Sequence, residues 1–141
     1  MRPMGKIKIT KKLLDEYRKT KIEIPLLEQD LHEMWTTEKG FGNSVILNGK
    51  NGSKKPETVV GFDQERYDRR KQILQHKKEK ARAVEQWIDS IDDAETRMVF
   101  KMYYTEGLGF EAISIKLGRI RSGDYIRMYI RDKFLKKNGI S

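Results

Sequence analysis

The feature that most constrains the fold is a pair of short amphipathic segments near the C-terminus, separated by Gly118. In the first segment Phe110, Ile113 and Leu117 recur at spacings of three and four, which places them on one face of a helix. Glycine adopts the left-handed conformation that ends many helices at little steric cost, so Gly118 predicts the end of this helix. The hydroxyl group of Ser122 can then cap the helix that follows.

The second segment predicts a helix over residues 123–137. Its apolar residues Ile126, Ile130 and Phe134 are spaced by four and would face inward. The remaining side chains are expected outside or at the end of the helix: Arg127, Met128, Arg131, Lys133, Lys136 and Lys137. A helix that exposes such a basic face is suited to the major groove of DNA.

A third helix precedes this pair and would complete its core. Asp92 or Asp93 can cap this helix, and Gly107 is expected to end it. Its predicted apolar face consists of Met98, Val99, Met102 and Tyr103. Residues 92–141 are therefore predicted to form a helix-turn-helix unit with three helices, at residues 93–106, 109–117 and 123–137.

The N-terminal part predicts a long helical hairpin or coiled coil. Apolar residues recur at heptad spacing at Leu13, Tyr17, Ile24, Leu27, Leu31 and Met34. Pro25 interrupts this seam, because proline lacks the N–H that would bond to the carbonyl of Lys21. We expect residues 1–37 to be a helical segment kinked at Pro25, or two abutting helices there.

A long charged helix is predicted over residues 63–91, with Asp63 as its N-cap. Its apolar seam is Tyr67, Leu74, Ala81, Val84, Ile88 and Ile91, and Trp87 would dock the helix on the C-terminal part. Two basic runs, at residues 69–71 and 77–80, have acidic residues within or beside them. This mixture of charges favours a solvated helix face over a second phosphate-contacting surface.

The segment between these helices, residues 38–62, is rich in glycine and asparagine and predicts a linker. An ordered alternative is a small hairpin that pairs residues 44–47 with residues 58–60. Long unstructured loops are uncommon inside compact domains, so this alternative stays open.

The net charge favours an acidic partner. The chain contains 30 Lys and Arg against 21 Asp and Glu, a formal charge of +9. Residues 107–141 hold eight basic and three acidic residues, so this part alone contributes +5. Such an excess is typical of proteins that bind polyanions, although it also occurs on proteins that bind nothing acidic.

Other functional classes are disfavoured. Without cysteine the chain has no disulfide, no thiolate metal site and no cysteine nucleophile. His32 and His76 lack metal-ligand spacing, and Gly49–Lys55 lacks the spacing of a nucleotide-binding phosphate loop. We therefore expect no enzyme activity, no metal and no cofactor.

No apolar run approaches the roughly 20 residues that span a bilayer, so we expect a cytoplasmic protein without membrane contact.

The predicted DNA-contacting surface surrounds the start of the 123–137 helix. Ser122 and the peptide groups after it would approach a phosphate, while Arg127 and Arg131 would reach base edges or phosphates. Asp124 would accept a hydrogen bond from a cytosine amino group, or simply favour the helix dipole. The complete predicted set is Arg119, Arg121, Ser122, Asp124, Tyr125, Arg127, Met128, Arg131 and Lys133. A purely structural helical bundle is the competing interpretation.

This region also resembles a known family. The stretch Tyr103–Ile113 (YYTEGLGFEAI), which leads into Leu117-Gly118 and then Ser122–Ile126, is similar to region 4 of sigma-70-type factors. Among these, the chain most resembles the small region-4-like regulators of phages and prophages of Gram-positive bacteria, a group that includes RinA- and ArpU-type late-gene activators. The resemblance covers most of the chain, with low specificity in its N-terminal part. Here the turn is longer than in the usual pattern, because Arg119 and Arg121 are inserted around Ile120.

The resemblance implies a phage-type transcriptional regulator that binds promoter DNA through the 123–137 helix, acts as an activator and touches RNA polymerase in the bacterial host cytoplasm. The expected fold is all-α, a helical hairpin or coiled-coil-like part joined to a three-helix helix-turn-helix unit. A homodimer through the helical seams would place two reading helices on repeated half-sites. Two rivals remain open: a DNA-packaging protein similar to a terminase small subunit, and a helical protein-interaction module.

Overall fold

The computed structural model of the chain describes residues 7–38 and 63–140, and within these ranges all regular structure is helical. The all-α class is therefore confirmed for the described residues, where no strand occurs. The linker expected at residues 38–62, its hairpin alternative and the loop at residues 49–55 lie outside the described residues, apart from Glu38.

The described ranges contain six helices. They are α1 (Lys11–Asp15), α2 (Tyr17–Glu33, extended by the π-helical segment Met34–Glu38), α3 (Gln64–Asp89), α4 (Ala94–Phe100, extended by the π-helical segment Lys101–Thr105), α5 (Phe110–Lys116) and α6 (the consecutive segments Gly123–Tyr125, Ile126–Asp132 and Lys133–Lys137). The helix positions predicted from the sequence agree with these bounds to within a few residues.

The N-terminal helices are interrupted at Glu16, and Pro25 lies inside α2. The Thr10 hydroxyl caps α1 by accepting a hydrogen bond from the Leu13 N–H at 3.1 Å. The predicted alternative of two helices abutting at Pro25 is therefore wrong. A proline removes only one backbone N–H, and here it lies on an exposed position while Leu31 is buried, so packing holds the helix together.

Contacts divide the described residues into two compact units, and the division falls within α2 and within α3. The smaller unit comprises residues 22–38 and 63–78, and the larger unit comprises residues 7–21 and 79–140. The division expected from the sequence, at residues 37/38, 62/63 and 91/92, does not coincide with it. The difference arises because compactness depends on which residues meet in space, and each long helix contributes to both units.

The smaller unit is held together by the predicted seam. Leu31, Met34 and Leu74 are buried together, with Ile24, Leu27 and Tyr67 packed against them. Three ion pairs join α2 to α3 in this unit: Arg70 with Asp30, Lys77 with Glu23 at 2.8 Å, and Lys78 with Glu28 at 3.0 Å. These pairs engage cations from both basic runs in partly exposed contacts between the two helices, so these three cations are neutralised by α2.

The larger unit has a core on two sides of α4. On one side Phe100 contacts Trp87 and Phe134, with ring centroids 5.7 and 5.3 Å away. Trp87 thus docks α3 on the C-terminal helices, as predicted. The predicted apolar face of α4 is wrong at Met98, which is 43% exposed, whereas Phe100 and Tyr104 are buried. Because α4 packs against other helices on two sides, more of its surface is buried than the single apolar stripe that the residue spacing predicts.

None of the described helices is long and apolar enough to cross a membrane. His32 and His76 are exposed, and within residues 7–38 and 63–140 no cluster of three or more His, Cys, Asp or Glu side chains could hold a metal ion. Of the two predicted caps Asp92 and Asp93, Asp93 caps α4, where its Oδ2 accepts hydrogen bonds from the Thr96 N–H and hydroxyl, each at 2.9 Å.

Candidate nucleic-acid interface

The turn between α5 and α6 ends one helix and starts the next with backbone and side-chain hydrogen bonds. Gly118 has a φ of +79°, and its N–H bonds to the Ile115 carbonyl, while the Arg119 N–H bonds to the Ser114 carbonyl at 2.8 Å. This pair of bonds is the Schellman ending that the glycine predicted. The additional length of the turn begins with Arg119, which also adopts a left-handed conformation, with a φ of +58°.

Two hydroxyl groups complete the turn. Ser114, buried in α5, donates a hydrogen bond to the Arg121 carbonyl at 2.6 Å and so fixes the returning chain. Ser122 accepts a hydrogen bond from the Tyr125 N–H at 3.0 Å, which confirms Ser122 as the N-cap of α6.

The first turn of α6 packs directly on the backbone of α5. A Cβ atom on Gly123 would lie 3.3 Å from the Glu111 nitrogen and from the Phe110 carbonyl carbon, and 2.9 Å from Glu111 Oε1. The side chains behind this contact form one buried cluster that α4, α5 and α6 share: Val99, Met102, Ile113, Ile126 and Ile130. The predicted inward positions Ile126 and Ile130 are therefore confirmed.

Arg131 does not lie on the exposed face of α6, so the prediction that its side chain lies outside is wrong. The residue is 9% exposed, and its guanidinium lies over the rings of Tyr103 and Phe110, 5.2 Å from each centroid. Burial opposes its charge, but its interactions with Tyr104 and Asp132 outweigh this effect and raise the pKa of the guanidinium. The long aliphatic stem of arginine packs in apolar surroundings, so a basic residue occupies an inner position of the helix.

Arg121 is held at the surface by two neighbours. Its Nε donates to Glu95 Oε2 at 2.8 Å and its Nη2 to Glu95 Oε1 at 3.3 Å, while the guanidinium lies 4.7 Å from the centroid of the Tyr125 ring. The hydrogen bond to Glu95 raises the pKa of Arg121. This arginine is therefore oriented rather than freely mobile.

Arg127 lies between two carboxylates on α6. Its Nη2 is 3.6 Å from Asp124 Oδ1, and its Nη1 is 4.0 Å from Asp132 Oδ2. The side chain of Arg127 is 43% exposed and that of Asp124 is 87% exposed. Such exposed pairs contribute only about 0–1 kcal/mol, so a phosphate group can replace either carboxylate.

Two further predicted cations lie open to solvent. Arg119 and Lys133 are exposed and form no ion pair with any residue that the structure describes. Lys116, Lys136 and Lys137 are exposed as well. The cations best placed to attract a polyanion are thus on the turn and on the C-terminal half of α6.

The outward face of α6 is aromatic and apolar at its centre. Tyr125, Met128 and Tyr129 are 39%, 43% and 56% exposed, and Ile120 in the turn is 81% exposed. The two tyrosine rings lie beside each other, with centroids 5.1 Å apart. Tyr129 and Ile120 were missed in the predicted site, although the four-residue spacing from Tyr125 places Tyr129 on the same face.

Of the predicted site residues, Arg121 contacts Tyr125 and Arg127 contacts Asp124. Met128 and Lys133 are exposed, whereas Arg131 is buried. No family model, curated protein or solved structure matches the chain. The properties of this surface accordingly rest on its own geometry: an exposed apolar strip at the centre of α6, with exposed cations before it on the turn and after it along the helix.

Proposed function

We propose that this chain is a sequence-specific, double-stranded DNA-binding transcriptional regulator of phage type, in which α5 and α6 act as a helix-turn-helix. The observation that supports the proposal is the two-sided character of α6. Its inner side chains Ile126 and Ile130 are buried against α4 and α5, while Tyr125, Met128 and Tyr129 point outward and have no covering element in the described chain. A reading helix needs this disposition, because it must be anchored on one side and exposed on the other.

Electrostatics support the same proposal. Residues 119–137 contain seven Lys and Arg and two Asp, so the turn and α6 contribute 7 − 2 = +5. Arg119 and Lys133 would contact phosphates first, and Arg121 and Arg127 would exchange their weak carboxylate partners for phosphates. Arg131 takes no direct part and instead supports α6 from within.

The regulatory part of the proposal comes from the resemblance to region 4 of sigma-70-type factors. It implies an activator that acts at a promoter in the cytoplasm of a bacterial host and contacts RNA polymerase. The chain would work without a cofactor and without enzymatic activity. A homodimer is part of the proposal only if it uses surfaces other than Leu31, Met34 and Leu74, because these seam residues are already buried within the chain.

The test is duplex binding as a function of salt concentration. We expect affinity to fall steeply as salt rises, and the double variant Arg119→Asn, Lys133→Gln to reduce the slope of log K against log salt by about 0.9 for each lost phosphate contact. Asparagine tolerates the left-handed conformation of Arg119, so the fold should persist. The matched control is Lys11→Gln, Lys12→Gln, which removes the same charge from exposed positions on α1. Equal slopes for the two double variants would contradict the proposed interface.

A helical protein-interaction module is the second candidate, and the smaller unit favours it. Ile22, Leu26 and Ile73 are 61%, 65% and 48% exposed, and Leu26 and Ile73 line a groove with an acidic rim. Absence of salt-dependent duplex binding would decide for this candidate. Sedimentation of the protein separates the remaining rival, since a ring oligomer indicates DNA packaging and a monomer or dimer indicates a regulator.

A further inference from the structure

The exposed face of α6 differs in chemistry from the basic face that the sequence predicted. Arginine usually reads guanine through two hydrogen bonds, but here Arg131 is buried and Arg127 lies between two carboxylates. The outward centre of the helix consists instead of Tyr125, Met128 and Tyr129.

The two tyrosine side chains of this centre, Tyr125 and Tyr129, are oriented before any ligand arrives. The Tyr125 ring is covered by the Arg121 guanidinium, which lies 4.7 Å from the ring centroid. The Tyr129 ring rests beside Tyr125 at 5.1 Å, with an angle of 40° between the ring planes. Aromatic side chains with few rotatable bonds, held in this way, lose little conformational freedom on binding.

We propose that Tyr125, Met128 and Tyr129 form an apolar strip that recognises thymine through its C5-methyl group. This inference rests on the proposed function and names the base that the helix would read. In the major groove the thymine methyl is the one apolar group that distinguishes the four bases, and apolar side chains contact it. The apolar centre of the strip therefore suits the methyl group of thymine.

Charge argues for a duplex as the occupant of this strip. The strip is flanked by Arg119 and Arg121 on the turn and by Lys133 and Lys136 farther along α6, in a region with a net charge of +5. Cations before and after an exposed apolar centre suit a DNA groove, in which base edges lie next to phosphates. A protein partner of ordinary composition would leave these cations without counter-charges.

The experiment compares thymine with uracil, which lacks only the C5-methyl group. Duplexes that bind the full chain are first selected from a random pool, and each selected site is then synthesised in a thymine and a uracil form. We expect uracil duplexes to bind about fourfold more weakly for each contacted methyl group. As a control, cytosines next to the uracils are replaced by 5-methylcytosine. This change should not restore the affinity, because the added methyl group lies at a different position in the groove.

Two variants test the residues. Tyr129→Ser should reduce the difference between thymine and uracil duplexes, while Tyr129→Phe, which keeps the ring, should retain it in full. The control Arg119→Asn should weaken both duplexes by the same factor, since a phosphate contact does not depend on the base. Tyr129 is exposed, and thermal unfolding monitored by circular dichroism verifies that each variant remains folded.

The outcomes separate this inference from the proposed function. Equal binding of thymine and uracil duplexes overturns thymine recognition and leaves the DNA-binding proposal intact. Loss of both duplexes by the same factor in Tyr129→Ser also overturns it. If no duplex is selected, both proposals fail.

Discussion

The guanidinium of Arg131 lies over the ring of Tyr103, 5.2 Å from its centroid, in the interior of the larger unit. The same group stands equally close to Phe110 and interacts with the buried Tyr104. A residue that the sequence assigned to the DNA surface thus connects α6 to α4 and α5. Its role in the fold can be separated from a role in binding.

Substitution Arg131→Ala should reduce stability without changing the salt dependence of DNA binding. The loss should be about 2 kcal/mol or more, because the cation–π contacts and the packing of the arginine stem disappear together. Urea unfolding measures the effect, with Lys136→Ala on the exposed face as the control. A variant with unchanged stability and a shallower salt slope would mean that Arg131 contacts phosphate after all.

Gly123 should tolerate no larger residue. Substitution Gly123→Val forces a side chain against the α5 backbone, where even a Cβ would stand 3.3 Å from the Glu111 nitrogen, and should cost about 1–3 kcal/mol. Gly109→Ser is the control, since a Cβ there meets no atom within 4 Å, the φ of Gly109 is −74° and serine is a favourable N-cap for α5. Similar unfolding midpoints for the two variants would argue against the close approach of α5 and α6.

Glu95 should restrain DNA binding by holding Arg121. Substitution Glu95→Gln removes one negative charge and releases the guanidinium, so affinity for duplex DNA should increase several-fold at low salt and converge with the parent protein at high salt. Fluorescence anisotropy at several salt concentrations measures this. Glu106→Gln, an exposed carboxylate on the residue after α4, serves as the charge-matched control, and an equal gain in both variants would indicate a nonspecific effect of net charge.

Asp93 should make the stability of the larger unit depend on pH. The backbone N–H of Thr96 donates to its carboxylate, which lowers the pKa of Asp93. A lowered pKa contributes stability above the ordinary value of an aspartate, and this contribution is lost as the pH falls through the lowered value. Asp93→Asn keeps the cap but does not titrate. The difference in melting temperature between the parent protein and this variant should therefore shrink on acidification, and a constant difference would contradict the assignment.

The sequence by itself determined the helices and their ends. Spacings of three and four located α5 and α6, while Asp63, Asp93, Ser122 and Gly118 marked termini that the hydrogen bonds bear out. These features are local, because a cap or a C-terminal glycine acts within a few residues of its own position. Helix ends can therefore be predicted from the sequence alone.

Only the tertiary structure decided which side chains reach the surface of α6. The sequence pattern predicted that Arg131 lies outside, because it is basic and falls between the apolar positions of α6. In the structure α4 and α5 together bury a wider face of α6 than these apolar positions mark. The guanidinium of Arg131 therefore contacts Tyr103 and Phe110. The pairing of Arg121 with Glu95 likewise joins residues 26 positions apart. Which helix faces meet, and hence which charges are neutralised, depends on packing between distant segments, and a single sequence does not encode this in any local pattern.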